Sequence, residues 1–278
     1  MGRPDGKVVK KLPTYRRMMP YFLKHKYESL YYWEYEFNAE PGLAFAERMS
    51  EEYGEKVTMF HLFLHGLLKT FVKYPGVNRF AKGGKIYDRH GIWFSFSVKK
   101  EFSTEGKVSI VKKEFKPEFT LLDTIRTARK EAKEVRTKDK DAGEKEAKGY
   151  LFFPGFLIRL GYPFYKFMDE HGLFSRKYME KEVLYSSAFV NNVGSFGANT
   201  AYHHLYEIGT ISNFFVLGTI VDKVVAENGK PVVRKMFPVK ATVDERAEDG
   251  FYYFRAFDYF RDLFEHPEKL LEPCERPG

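Results

Sequence analysis

The sharpest chemical signal in the chain is the run Val243-Asp244-Glu245-Arg246-Ala247-Glu248-Asp249-Gly250, dense in carboxylates and placed between a strand-like and a helix-like segment. Taken alone it reads as a charged turn that caps the following helix. His203 and His204, adjacent in Tyr202-His203-His204-Leu205-Tyr206, carry imidazoles, the side chain most often used as a general base. A hydrogen-bonded turn or a subunit contact uses the same residue type. His61 and His65 have the i, i+4 spacing of a helical metal pair, but Leu62 stands where that motif needs glutamate. No other ligand accompanies them, so both are expected as core or surface histidines and no metal is assigned. The single Cys274 excludes a disulfide framework and a cysteine-ligated zinc site.

Holding such groups in place takes a scaffold, and 278 residues that are 44% apolar and 18% aromatic provide the material for one. The balance of 46 basic against 38 acidic residues gives +8. The most charged stretch, Asp123 to Lys148, mixes both signs at helical spacing, which marks a solvated face. The basic run Lys7 to Arg17 is short, and no recognition motif accompanies it, so nucleic acid is not an expected partner. No apolar signal core opens the chain and no run reaches the roughly 18 apolar residues of a membrane span, so the expected location is cytoplasmic.

The pattern predicts an irregular arm over residues 1–13. A strand follows at Leu30–Phe37, with Tyr31, Trp33, Tyr35 and Phe37 on one side. A helix runs from Thr58 to Tyr74, stopped by Pro75-Gly76, and a strand lies within Lys85–Lys99. The charged helix is Leu121–Lys138. Further β-type runs are Tyr185–Asn191, Ile211–Val221 and Pro231–Val243, the last entered through an Asn228-Gly229 hairpin turn. Phe251–Phe264 closes as a helix with Phe254, Phe257, Phe260, Leu263 and Phe264 at three- and four-residue steps. Strands and helices mixed without a linker imply one α/β or α+β domain.

In order along the chain, these pieces resemble the catalytic-domain family shared by chloramphenicol acetyltransferase and the dihydrolipoyl acyltransferases of 2-oxoacid dehydrogenase complexes. The family signature is His-x-x-x-Asp-Gly, extended to Asp-His-Arg-x-x-Asp-Gly in the dihydrolipoyl enzymes. Asp244, Arg246, Asp249 and Gly250 match it, and Glu245 stands where the histidine belongs. Ala188 to Gly197 is similar to the family's Thr-Ile-Ser-Asn-Leu-Gly segment, with Asn192 and Gly194 matching and Asn191 in place of the hydroxyl residue. Phe215-Val216-Leu217-Gly218, Val232 to Met236 and Tyr74-Pro75-Gly76-Val77-Asn78 resemble the neighbouring family segments. The resemblance spans about Arg16 to Leu271.

The resemblance implies an α/β fold of the α+β two-layer sandwich kind, a mixed sheet flanked by helices, forming trimers. Residues 14–272 are then the catalytic domain, with an apolar insertion at about 150–180 and a tail at 273–278. It also implies acyl transfer from a coenzyme A thioester, used as substrate, to a small thiol, amine or alcohol in a channel at the subunit interface. In the family the histidine accepts the acceptor's proton and a Ser or Thr donor stabilises the tetrahedral oxyanion. Here Asn191 supplies an amide donor, and Glu245 or His204 is left as the base; His203 and Ser195 are expected near the channel. A carboxylate at its ordinary pKa of about 4.3 matches a thiol of about 8.5 poorly, and burial is what raises it. The blander reading of Glu245 is a salt bridge to Arg246. The family's motif aspartate pairs with an arginine, which points to Asp249 with Arg16 or Arg17. Arg246 and Gly250 complete the structural part of the site.

Leu151–Tyr178 has no counterpart in the typical acyltransferases. Phe156, Leu157, Leu160, Phe164, Phe167 and Met168 make an apolar band among Arg159, Lys166 and Arg176. It reads as helices packed on the sheet or a neighbouring subunit, or as a membrane-surface helix pair that would make the protein peripheral to a membrane, or as a lid over a lipid-like chain. The function-level alternative is a catalytically degenerate trimer, self-associated and extendable to a larger assembly, that binds or scaffolds.

Overall fold

The computed structural model describes residues 3–99, 108–137 and 154–276. Its first half runs β1 (Gly6–Val8), α1 (Thr14–Phe22), β2 (Leu30–Asn38), α2 (Glu40–Tyr53), α3 (Met59–Lys73), β3 (Phe80–Lys82), β4 (Lys85–Arg89), β5 (Ile92–Lys99), β6 (Val108–Phe115) and α4 (Leu121–Thr137). Then come α5 (Gly155–His171), α6 (Arg176–Lys181), β7 (Ala188–Asn192), β8 (Asn213–Leu217), β9 (Val221–Glu227), β10 (Lys230–Asp244) and α7 (Gly250–Glu265).

A mixed sheet runs β2-β10-β8-β7-β5-β6, with β9 paired to the first half of β10. Within it β5, β7 and β8 are parallel, so their carboxyl ends, Lys99, Asn192 and Leu217, point the same way. β10 alone carries 15 residues because it pairs in turn with β9, β2 and β8. Asn228 and Gly229 turn into it at φ of 51° and 76°, as a two-residue hairpin demands. A second sheet, β1-β4-β3, lies apart.

One face of the main sheet is covered by α2, α3, α4 and α7 around a single core. The alternation of β2 decides its part of that packing: Trp33 and Tyr35 meet Phe257 at 5.6 and 5.9 Å, and Phe37 meets Phe260 at 5.8 Å. The three- and four-residue steps of α7 bring Phe260 within 4.9 Å of Phe63 on α3. The opposite face carries a smaller cluster, Phe189, Phe214 and Val216 under Leu205 and Ile211.

Several expectations change. Residues 3–8 do not form an irregular arm: β1 pairs with β4, and Arg3 is buried against Asp5 and the Asp169 carbonyl. Lys85–Lys99 holds two strands because Gly91, at φ 74°, turns the chain between them. Gly218 ends β8 before β9 begins, and β7 starts only at Ala188. The charged helix reaches Thr137; its expected end at Lys138, and residues 138–148 of the charged stretch, lie outside the described residues, as do residues 151–153 of the apolar segment. In that segment the end of α5 and the residues after it pack: Asp169 is fully buried, bonded to Lys82 Nζ at 2.6 Å and to the Tyr185 hydroxyl at 2.6 Å, and Phe174 and Tyr178 meet the Tyr185 ring at 6.4 and 6.3 Å. Residues 155–164 are exposed on every side. No helix among the described residues is long and apolar enough to cross a membrane.

Candidate functional site

A cleft of about 750 Å³ opens at the carboxyl ends of the parallel strands, bounded by β5, β6, β7, the start of α3 and the middle of α4. In open α/β sheets this end is where loops leave the strands and ligands bind. Asn191, at the end of β7, lines it. The Ser97 hydroxyl donates to Asn191 Oδ1 at 2.6 Å, which fixes the amide plane. Its Nδ2 hydrogens then have no protein acceptor among the described residues, and such a donor suits a developing oxyanion.

His203 lines the same cleft; its ring lies 4.1 Å from Phe214 at 7° between planes, and Phe214 stacks on Phe189 at 4.7 Å. His203 Nδ1 is 2.7 Å from the His204 carbonyl. A carbonyl only accepts, so Nδ1 carries a hydrogen, and in the neutral ring the lone pair is on Nε2, the tautomer of a base. His204 is exposed and is not part of the cleft wall. Ser195 lines the cleft, with its hydroxyl turned to the Asn192 carbonyl at 2.8 Å. His61 lines it from α3, beside Thr58 Oγ1 at 3.2 Å; burial, then the charge of Arg129, pushes it down to about 4, so it stays neutral at pH 7.

The motif glycine has a geometric cause. A Cβ on Gly194 would stand 2.2 Å from the Gly218 carbonyl oxygen, so only glycine lets the wall after Asn191 close on the end of β8.

The Asp-Glu-Arg turn lies elsewhere. Asn191 faces Val216, which faces Lys240, and Glu245 follows five residues further along β10, which puts Asn191 and Glu245 about 19 Å apart. One protomer therefore does not bring them together. The turn is locked by a buried clasp: Arg246 Nε and Nη2 reach Asp244 Oδ1 and Oδ2 at 2.9 and 2.8 Å, and Ser29 Oγ donates to Oδ1 at 2.9 Å. Burial alone pushes the Asp244 carboxyl up, but the Arg246 charge and bonds, with Lys26 and Ser29, outweigh it and leave it below the usual range. Lys26 Nζ donates to the Gly209 and Ile211 carbonyls; burial and then the charge of Lys82 push it down to about 7.

Arg246 thus pairs with Asp244, and the salt bridge expected for Glu245 is not made with it. Glu245 contributes its backbone, with N–H to the Ser29 carbonyl at 2.9 Å and its carbonyl to Arg16 at 2.9 Å. Of the two arginines expected beside Asp249, Arg16 meets Glu248 at 3.6 Å instead, and Glu248 also binds Arg79. Arg17 is exposed. Asp249 caps α7, accepting from the Tyr252 N–H at 2.9 Å, and Gly250 opens the helix. Ser97, Glu248 and Lys26 carry no sequence signal, because their partners lie 94, 169 and 183 residues away. Among the described residues no three His, Cys, Asp or Glu side chains gather as metal ligands.

No family model matches the sequence, and no curated protein matches it. Solved structures do. The dihydrolipoamide acetyltransferase (E2p) of Azotobacter vinelandii superposes with a TM-score of 0.62 at 16% identity over 95% of this chain and 94% of that one. The cubic core of the pyruvate dehydrogenase multienzyme complex gives 0.61 at 15%, over 95% and 94%. A chloramphenicol acetyltransferase gives 0.54 at 12%, over 96% and 100%. The chain has the fold of the chloramphenicol acetyltransferase-like catalytic domains. In the Azotobacter protein a serine, a histidine and an asparagine four residues beyond that histidine have been investigated for their roles in the catalytic mechanism.

Proposed function

We propose that the protein is a coenzyme A-dependent acyltransferase that works as a homotrimer, moving an acyl group from a CoA thioester to a small thiol, amine or alcohol. The observation that carries this is the pairing, in one cleft, of an amide donor fixed by Ser97 with an imidazole whose Nε2 is free. Asn191 stands where the resemblance puts the oxyanion donor. His203 takes the role of base that the turn residue lacks.

The acceptor's proton passes to His203 Nε2 as its sulfur, nitrogen or oxygen attacks the thioester carbonyl. The carbonyl oxygen gains the charge and is met by Asn191 Nδ2–H. Collapse breaks the carbon–sulfur bond, and the proton held on His203 neutralises the departing CoA thiolate. Neutral His61 adds no competing charge to the cleft. Glu245 reaches an Asn191 only in a neighbouring copy, an arrangement the trimer of the resemblance would supply. Arg246, Asp249 and Gly250 hold its turn; Arg17 and His204 have no part in this reading.

Release of free CoA thiol from a panel of acyl-CoAs, with a small-thiol acceptor, tests this. Asn191→Ala is expected to lower kcat by about 10²–10³ and His203→Gln by about 10²–10⁴. Equal loss in Glu245→Gln would move the base to a neighbouring copy's turn. Wild type at background with every donor would leave a binding or scaffolding trimer, the reading that Glu245 in the place of the family's histidine favours.

The exposure of residues 155–164 also supports contact with a membrane surface. About ten helical residues reach ~15 Å, half a hydrocarbon core, so α5 would enter one leaflet without crossing. Sedimentation with anionic vesicles, lost in Phe164→Glu, is the expected result; equal sedimentation of both proteins, or of neither, removes this surface from the function.

A further inference from the structure

β6 is an edge strand of the main sheet, yet one of its lysines is turned inward. The β5–β6 register sets Ser95 opposite Lys112 and Trp93 opposite Glu114, so these four share one face of the sheet. Phe94, Phe96, Val111 and Phe115 take the other face and belong to the main core. The Lys112 face is covered by α6 and the segment after it. Ser95 Oγ donates to the Val183 carbonyl at 2.9 Å, and Lys112 Nζ donates to the Met179 and Glu182 carbonyls at 2.5 and 3.1 Å. The Trp93 ring centre lies 5.0 Å from Nζ. A cavity of about 80 Å³ lies on this same face, lined by Lys112, Trp93 and Glu114 of the sheet, Met179 of α6 and Arg89 of β4. Since about 150 Å³ holds a six-carbon ring, this volume matches roughly three heavy atoms.

The hydrogen bonds of Lys112 fit an amine. Its two N–H groups satisfy both carbonyls and leave one lone pair, whereas the third hydrogen of an ammonium has no oxygen or nitrogen acceptor among the described residues. Burial, and then the charge of Arg89, push Lys112 down to about 7. Most other charges nearby are committed elsewhere: Asp5 to Arg3 at 3.0 Å, and Arg176 and Glu180 to each other at 2.7 Å. Arg89 is bonded to Thr210 Oγ1 at 2.8 Å, and His90 turns its Nδ1 to the Pro4 carbonyl at 3.3 Å. Glu114 on β6 and Glu182 after α6 supply the remaining negative charge. A lysine desolvated beside another cation is an activated nucleophile.

We propose that Lys112 is a modification site whose amine takes a short acyl group, of acetyl size, directly from an activated acyl donor, a thioester or an acyl phosphate. The nitrogen lone pair attacks the acyl carbon, the carbon–nitrogen bond forms, and the bond from carbon to the thiolate or phosphate breaks. The proton released by nitrogen leaves with the departing group. Acyl donors are singled out by the charge of the product. Burial penalises an ion, so a neutral amide suits the cavity, whereas an iminium would restore the cation and a carbamate would set an anion beside Glu114. The amide keeps a single N–H, so acylation releases one of the two carbonyls that tie α6 to β6. This chemistry is independent of acyl transfer in the cleft at Asn191.

The test is competitive labelling of the whole protein with acetyl phosphate, acetyl-CoA and octanoyl-CoA, each lysine being read by peptide mass spectrometry. At pH 7 about half of Lys112 is amine, against roughly 1 in 2,500 of an ordinary lysine. A less basic nitrogen is a weaker nucleophile, so the expected advantage over the exposed Lys116 and Lys130 is at least ~10-fold rather than the full population ratio. It should vanish near pH 10, and also in guanidinium chloride, where the cavity is lost. Octanoyl transfer to Lys112 should trail acetyl transfer at least ~10-fold, measured against Lys116. Acetylation by either acetyl donor with this pH and fold dependence upholds the site, and the donor that labels it names the source. Lys112 labelled no faster than Lys116 and Lys130 at pH 7, or octanoyl matching acetyl, overturns it. His203→Gln should label like wild type; loss of the label there would show delivery from the cleft and overturn direct attack, whereas retained labelling in a protein that transfers no acyl group to a small acceptor upholds this site and refutes the acyltransferase.

Discussion

Replacing Arg246 by methionine removes the cation of the clasp and keeps most of its volume. Arg246 makes two bonds to Asp244, and its Nη1 donates to the Leu23 and Lys24 carbonyls at 3.0 and 3.2 Å. The two side chains are 6% and 1% exposed, so the abandoned carboxylate has no route to solvent. Breaking a buried pair from one side costs about 3–5 kcal/mol. Ser29 and Lys26 remain near Asp244 and place the expected loss near the lower end, about 3 kcal/mol. In a chain of this size that corresponds to a fall in Tm of roughly 6–12 °C. Urea unfolding followed by tryptophan fluorescence suits the measurement, because Trp33 sits opposite Ala241 on β10, three residues before Asp244. The midpoint should drop with m unchanged. Removing both charges, in Asp244→Asn with Arg246→Met, should cost at least about 1 kcal/mol less than the sum of the single losses. A loss below about 1 kcal/mol for Arg246→Met, or additivity of the two changes, would show that the turn is not held by this pair.

Lys26 makes the fold sensitive to alkali in a defined direction. Its folded value of about 7 lies below the roughly 10.4 of an unfolded lysine, so between these the unfolded chain binds more protons and stability rises with pH. Urea midpoints at pH 7.5, 8.5 and 9.5 should climb in wild type, by up to about 1.4 kcal/mol per unit from this group, and Lys26→Met should flatten the climb. His61 and His65, both near 4 when folded and near 6.5 when unfolded, should make the fold lose stability as pH falls from 6.5 towards 4. Circular dichroism melts over that window, with His65→Gln for comparison, check this. Gly194→Ala should cost more than 2 kcal/mol because its Cβ meets backbone, whereas Gly161→Ala, with nothing within 4 Å in an exposed helix, should gain about 0.5–1 kcal/mol; thermal melts separate the two.

Period and turn chemistry made the inner elements legible. The aromatic alternation of β2, the steps of α7 and the Asn228-Gly229 turn each allow one geometry, and the structure has it. The elements that stay hidden lack such signals. α2 opens with Pro41-Gly42, which reads as a break although proline at the first turn is compatible with a helix. β6 hides behind Lys112 and Lys113, one of which is turned inward to the Met179 and Glu182 carbonyls. Residue order singles out Asn191, which lines the cleft, and the turn, which lies elsewhere. The fixing of Asn191 by Ser97 and the placing of His203, not His204, in the cleft wall carry no such signal, because both depend on which strands become neighbours.

The clasp around Asp244 and Arg246 has an evolutionary consequence. The bonds that shape the turn come from the flanking aspartate and arginine, from main chain and from Ser29 and Arg16, and the Glu245 side chain between them takes no share of the load. That position is free to drift without endangering the architecture. Side chains of different chemistry can therefore succeed one another there while the surrounding scaffold is inherited intact.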